Sequence, residues 1–291
     1  MGAAPPLYLD SHLHLQETRL APTRDRILER ARLAGVARML CNATREEDWQ
    51  SVIDLAIREP GIVPFLGIHP WFAETAGAGW EERLMSLLQQ VPAGIGEVGL
   101  DKCCRADFDR QQQIFATQLQ MASGLRRPLT IHCVKAWGKL LEMLEQFADP
   151  LPPIMIHSFA GARETLQRLL RLGCFISFSG KLATDSRLHP CFLATPLANL
   201  LLETDSPGRP RVAGAMDDQG ATDAPTQPDR QLAPGSHDQN NQNNQKLLCD
   251  EPAAITRLYQ WAATMRKLTL EEFRQEIWSN GEIFTNTILP R

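Results

Sequence analysis

The amino-acid sequence predicts an α/β fold, a (β/α)8 barrel of the TIM type. Three observations lead there: the chain length, the alternation of short β-like runs with longer helical ones, and the recurrence of ligand-type side chains where those runs end. The 291 residues are enough for one barrel, which takes roughly 250. Eight runs read as strands: Leu7–Asp10, Val36–Cys41, Ile62–Gly67, Gly94–Glu97, Pro128–His132, Pro153–His157, Cys174–Ser177 and Asn199–Asp205. Between them lie helical segments at Arg24–Ala34, Glu46–Arg58, Trp80–Gln90, Asp107–Ser123, Ala136–Phe147 and Ala162–Leu172. Such alternation demands parallel strands, because each return crossing is made by a helix, and eight units close into a barrel.

The segment from Asp107 carries the helical period best. Phe108, Phe115, Leu119 and Ala122 share one face, while Arg110, Gln111, Gln113 and Gln118 are expected on the other. Gly124 and Pro128 read as stop signals before the next strand. The seventh helix, around Asp185–Leu197, is the weakest, since two prolines interrupt it. Gly208–Gln245 breaks the rhythm: it is rich in Pro, Gly, Asp, Asn and Gln, and contains DQNNQNNQ. With few apolar side chains to offset ordering entropy, it is expected to be a long, mobile loop within one domain spanning residues 1–291. Beyond it, Asp250-Glu251-Pro252 reads as the start of a helix running to about Arg266. A last helix should begin near Thr269, with Glu272 completing a capping box.

Composition excludes several classes. Hydrophobic residues make up 43% and charged residues 22%, an ordinary globular balance. No apolar run approaches the roughly 20 residues of a membrane span. The amino terminus, MGAAPPLYLD, lacks the basic and apolar regions of a secretory signal. The expected location is the cytoplasm, with the nucleus as the alternative. Seven cysteines, with no C-x-x-C pair, make neither a disulfide framework nor a zinc finger. A net charge of −4 is not that of a protein that coats nucleic acid by bulk basicity.

The chemistry is concentrated at strand ends. His12 and His14 form an H-x-H pair, and residues two apart on a strand point to the same face. Glu97 in GEVGLD, His132 in TIHC, His157 in MIHSF and Asp205 in LLETDSP recur in equivalent places. In a barrel these positions converge on the mouth where active sites lie. A single histidine at a strand end is ordinarily a satisfied polar residue. Five of the seven histidines on one predicted face make independent structural roles improbable, whereas His189 and His237 lie elsewhere. Imidazole and carboxylate ligands suit zinc or manganese, and carboxylates with water suit magnesium. Four histidines and two carboxylates exceed a simple tetrahedral site, and two ions sharing a carboxylate fit that number better.

The ordered set DSHLHL, GIHPW, GEVGLD, IHC, HSFAG and ETDSP resembles the TatD-related family of metal-dependent DNases, over Leu9 to Pro207 and again at DEPAAI and NGEIF. The resemblance implies hydrolysis of DNA phosphodiesters, with RNA as a further substrate, and neither a membrane nor an obligate protein partner. It implies that His12, His14 and Asp205 bind one divalent ion, that His132 and His157 bind a second, and that Glu97 bridges them. Asp205 and Glu97 would serve the chemistry, and His69 and Lys135 would contact substrate. Where relatives often read H-S-R-[DE]-A, this chain has His132-Cys133-Val134-Lys135-Ala136, so the arginine is replaced by valine with a lysine one place on. Lys102, Arg105, Lys139 and Arg209 are further cations in or after mouth loops, and Trp71, Phe72, Trp137 and Phe159 are aromatics near them. The residues alone leave open a hydrolase of a small amide, lactone or nucleobase, or a metal-binding partner protein without turnover.

Overall fold

The structure, a computed structural model, describes residues 8–208 and 251–289. Most of the 208–245 segment, together with Leu7, Arg209 and Asp250, lies outside the described residues. Eight parallel strands follow one another around a single sheet in chain order. They are β1 (Tyr8–Leu13), β2 (Val36–Asn42), β3 (Ile62–Leu66), β4 (Gly94–Asp101), β5 (Leu129–Val134), β6 (Ile154–Ile156), β7 (Phe175–Phe178) and β8 (Leu200–Leu202). Helices α1 (Arg24–Leu33), α2 (Glu46–Arg58), α3 (Trp80–Gln90), α4 (Phe108–Leu125), α5 (Trp137–Glu145), α6 (Arg163–Arg171) and α7 (His189–Ala194) connect them. α8 (Ile255–Arg266) and α9 (Leu270–Thr285) complete the shell. No helix among the described residues is long and apolar enough to cross a membrane.

Strands enclosed on both faces need apolar side chains throughout, which is why β3, β6 and β8 read as IVPFL, IMI and LLL with every residue buried. The helices bury only a stripe: α2 covers the sheet with Trp49, Val52, Ile53 and Leu55. α9 lies close against β1, where a Cβ on Gly281 would stand 2.3 Å from Leu9 Cδ2. The capping box at its start is present, Thr269 Oγ1 accepting from the Glu272 amide at 3.2 Å while the Glu272 carboxylate accepts from the Thr269 amide at 3.0 Å.

Polar bonds close the seam between β8 and β1. The Asp205 amide donates to His12 O at 3.0 Å, and the His14 amide donates to Ser206 O at 2.7 Å. The buried Asp10 carboxylate accepts from the Thr204 amide at 2.9 Å and from its hydroxyl at 2.5 Å. This seam corrects one expectation. The last strand ends at Leu202: the Glu203 amide still reaches Phe178 O of β7, the Thr204 and Asp205 amides turn to β1, and Asp205 adopts a left-handed backbone (φ 58°). Glu97 likewise does not end its strand: β4 continues through Asp101, pairing Val98 to Asp101 with Ile131 to Val134. Gly99 permits that approach, since its φ is 134° and a Cβ would lie 2.0 Å from His132 O.

Helix α4 supplies two further corrections. It passes through Gly124 and stops at Leu125, with Arg126 in the left-handed region. Gln111 and Gln118, expected on the wet face, are buried. Each clasps a backbone segment that has no regular partner there. Gln118 accepts from the Ile68 amide at 2.7 Å and donates to its carbonyl at 3.2 Å. Gln111 does the same for Asp101, at 2.8 and 3.1 Å.

Candidate metal centre

The carboxyl-terminal ends of the strands gather His12, His14, His69, Glu97, His132, His157 and Asp205 around one cavity of about 620 Å³. All but His14 and Asp205 are buried, and the Asp205 side chain is 33% exposed. Glu97 is the hub, and its two oxygens face different groups. Oε2 lies 3.2 Å from both His12 Nε2 and His14 Nε2. Oε1 lies 3.0 Å from His132 Nδ1, 3.2 Å from His157 Nε2 and 3.3 Å from His69 Nε2. Asp205 Oδ1 stands beside the first group, 3.8 Å from His12 Nε2 and 3.7 Å from His14 Nε2.

The far side of each ring decides which nitrogen carries a proton, because carbonyls and carboxylates only accept. His14 Nδ1 donates to Asn42 O at 2.8 Å, His132 Nε2 to Asp101 Oδ2 at 3.1 Å, and His157 Nδ1 to Glu203 Oε1 at 3.0 Å. Each of the three rings, when neutral, therefore turns a lone pair toward a Glu97 oxygen. Lone pair and carboxylate repel, so a cation must stand between them, either a proton or a metal ion. His69 differs. Its Nδ1 accepts from the Trp71 amide at 3.1 Å, which puts the proton on Nε2, facing Glu97. His69 is thus arranged as a donor, although its Nε2 is near enough to Glu97 and His132 to group with them.

The electrostatics repeat the point. Burial would raise the Glu97 pKa, but His157, His69 and His12 outweigh it and hold this carboxylate well below the usual range. Burial opposes a charged His14, yet its bond to Glu97 and the charges of Glu97 and Asp205 carry it up to about 9. His157, between Glu97 and Glu203, is also raised despite burial. Protons are drawn onto His14, His132 and His157 because the carboxylates call for positive charge, while burial pushes His12 and His69 down. A divalent cation meets that call for positive charge in the same space. Three triads have donor atoms within 4.8 Å of one another: His12-His14-Glu97, His12-His157-Asp205 and His69-Glu97-His132. The residues present fit metal ions.

Sequence reasoning missed the buried acids behind the rings. Asp101 backs His132, Glu203 backs His157, and Asp10 accepts from the His12 amide at 3.4 Å. Each lies inside a quoted motif (GEVGLD, LLETDSP, DSHLHL), so an acidic residue two to four places from a ligand was the available signal. At the rim, Lys135 lines the cavity, whereas Lys102, Arg105 and Lys139 do not. Lys102 sits over the Phe108 ring and Lys139 pairs with Glu142. Arg19, Arg45 and Lys181 line the cavity instead. Of the aromatics, Phe159 is buried against Trp137 and Phe178 and does not reach the cavity, while Trp71, Phe72 and Trp137 do.

A parallel eight-stranded barrel with histidines and carboxylates converging on open cavity space defines the class, a metal-dependent hydrolase. The chain belongs to the TatD-related DNase family, whose model matches residues 9–285. It is 31% identical to the 3'-5' ssDNA/RNA exonuclease TatD of Salmonella typhimurium over 209 residues, covering 68% of this chain and 78% of that protein. It is 30% identical, over 70% of this chain and 80% of the relative, to YjjV of Escherichia coli K12, described as an uncharacterized metal-dependent hydrolase. The crystal structure of YjjV superposes with a TM-score of 0.76 at 26% identity, covering 97% of this chain and 98% of that one. A TatD-family hydrolase of Entamoeba histolytica shares the fold with the same TM-score at 19% identity, covering 99% of this chain and 100% of the other.

Proposed function

We propose that this chain is a single-domain nuclease that hydrolyses phosphodiester bonds of DNA at a centre of two divalent cations. The observation that carries the reading is Glu97, whose two oxygens face separate groups of imidazole nitrogens, the arrangement of a bridging carboxylate. His12, His14 and Asp205 would hold one ion, and His132 and His157 the other. Zinc, magnesium and manganese all suit this donor set. When bound, such ions polarise a phosphoryl oxygen and lower the pKa of water.

The chain's own groups do the rest. Asp205, the most exposed of the carboxylates around the centre, orients a water and accepts its proton. His69, whose N–H points at Glu97 Oε1, lines the cavity where it would contact the substrate. Lys135, exposed on the rim, holds a backbone phosphate. Relatives named as exonucleases of single-stranded DNA and RNA support a nucleic-acid substrate, with RNA as the second. The test is a panel of single-stranded DNA, duplex DNA, RNA and small esters, each with magnesium, manganese and zinc. DNA cleavage that tracks metal loading is expected, and turnover of the small esters alone would overturn the reading.

A further inference from the structure

Five residues other than glycine take a positive φ among the described residues. Two of them, Arg126 and Lys267, end helices α4 and α8, where a left-handed residue is a common stop. The other three, Lys135 (51°), Ser158 (45°) and Asp205 (58°), follow β5, β6 and β8, and all three line the cavity. A side chain in that region costs free energy that glycine avoids. Asp205 and Lys135 have roles in the nuclease reading, as metal ligand and phosphate contact. Ser158 has none. The backbone shows what the turn at Ser158 does. The His157 amide donates to Ile131 O of β5 at 3.0 Å, and the Phe159 amide donates to Ser177 O of β7 at 3.0 Å. Along a regular parallel strand, amides two apart face the same neighbour, so the alternation slips by one residue at Ser158. The slip buries Phe159 and brings Ser158 onto the cavity wall beside His157.

Glycine would allow the same turn without strain, so the turn itself does not call for a hydroxyl. The hydroxyl is nevertheless held. Ser158 Oγ lies 3.2 Å from Ser179 Oγ, and Ser179, directly after β7, is only 6% exposed. We propose that Ser158 donates its hydroxyl proton to a non-bridging oxygen of the scissile phosphate, with Ser179 as its positioning residue. The proposal rests on the nuclease reading and adds a substrate contact on the His157 side of the centre. A hydroxyl carries one proton and two acceptor sites. When Ser179 gives its proton to Ser158, the Ser158 proton is left for the cavity, where an anionic oxygen accepts it in a charge-assisted bond. The strain and the buried partner then have one explanation: both fix this donor in place before substrate arrives.

Ser158→Gly separates the turn from the hydroxyl. It relieves the left-handed strain, so the variant should melt no lower than the parent and keep its metal content. Its kcat/KM should fall roughly 10-fold, the size of one hydrogen bond to a charged group. Ser158→Ala, which keeps the strain and loses only the oxygen, should show the same loss. Ser179→Ala should lose less, and the double variant should be no worse than Ser158→Ala, because one residue acts through the other. The direct reading uses a short oligonucleotide whose cleaved linkage, mapped by product length, is made as each phosphorothioate diastereomer. Saturating manganese is supplied, since it tolerates sulfur. Sulfur accepts hydrogen bonds poorly, so the Ser158→Ala penalty should nearly vanish on one diastereomer and persist on the other. A Ser158→Gly protein at the parental rate overturns the proposal, as does an equal penalty on both diastereomers or a loss of metal from Ser158→Ala. Each of these leaves the nuclease reading standing. A parent that cleaves no phosphodiester overturns both.

Discussion

The floor and the mouth of the cavity are built on opposite terms. On the floor, Glu97, His132 and His157 are buried, and each ring is backed by a buried acceptor. At the mouth, Arg19, Arg45, Lys135 and Lys181 are exposed; Arg19 pairs with Glu17, and Arg45 lies near Glu47 and Asp48. Charges on the floor act on one another through little solvent, so removing one leaves others uncompensated. Charges at the mouth are screened, and each contributes little. Large effects should therefore be confined to the floor, and changes such as valine at position 134 are tolerable at the rim.

The sharpest way to break this contrast is Glu97→Gln. The amide keeps the size but removes the one carboxylate shared by both groups of histidines, so metal content should fall for both ions. Activity should drop roughly 1,000-fold or more, with the fold retained by circular dichroism. Full metal occupancy by elemental analysis would show that Glu97 is no bridge. Asp205→Asn should come next. Its carboxylate is partly open, so the variant should fold and lose at most one ion, while the rate falls roughly 100-fold or more. A near-parental rate with saturating magnesium, manganese or zinc would remove Asp205 from the chemistry.

What was legible in the chain alone follows the same division. Period and polarity are local properties, so the strand–helix alternation, the α2 and α3 boundaries and the Thr269–Glu272 capping box could be read directly. The ligand types could be read because no packing role asks for so many histidines at strand ends. Gln111 and Gln118 could not, because in one dimension a buried glutamine that clasps a backbone is indistinguishable from a wet one. Asp205 reads as part of a strand because three leucines precede it. Its true position depends on hydrogen bonds to β1, nearly 200 residues earlier in the chain.

A third substitution probes the layer behind the floor. Glu203 is buried and accepts from His157 Nδ1. Glu203→Gln can still accept through its amide oxygen, but the negative charge that raises the basicity of the facing His157 nitrogen is gone. Metal affinity or turnover should fall roughly 10- to 100-fold, a smaller loss than for Asp205→Asn. Isothermal titration with the metal alone reads the affinity. An unchanged affinity and rate would mean that the buried acid serves only the packing of the seam.

The smallest expected effect is at Lys181, and it tests the mouth most directly. The residue follows β7 in a short 3-10 turn, Gly180–Ala183, and lines the cavity while remaining exposed. No ion pair holds it among the described residues, unlike Arg19 or Arg45, so its charge is available to a phosphate. Lys181→Ala should weaken oligonucleotide binding a few-fold, evenly across sequences. Log Kd plotted against log salt should become shallower by roughly one unit, as expected when one fewer cation neutralises the phosphate backbone. Metal content should stay at the parental level, because the side chain touches no ligand of the centre. The slope separates two explanations that a simple affinity change would merge. A variant that binds more weakly with the parental slope is altered in shape rather than charge, and Lys181 would then be wall, not clamp. A variant that loses metal would show that floor and mouth are coupled, and the contrast between them would fail at its boundary.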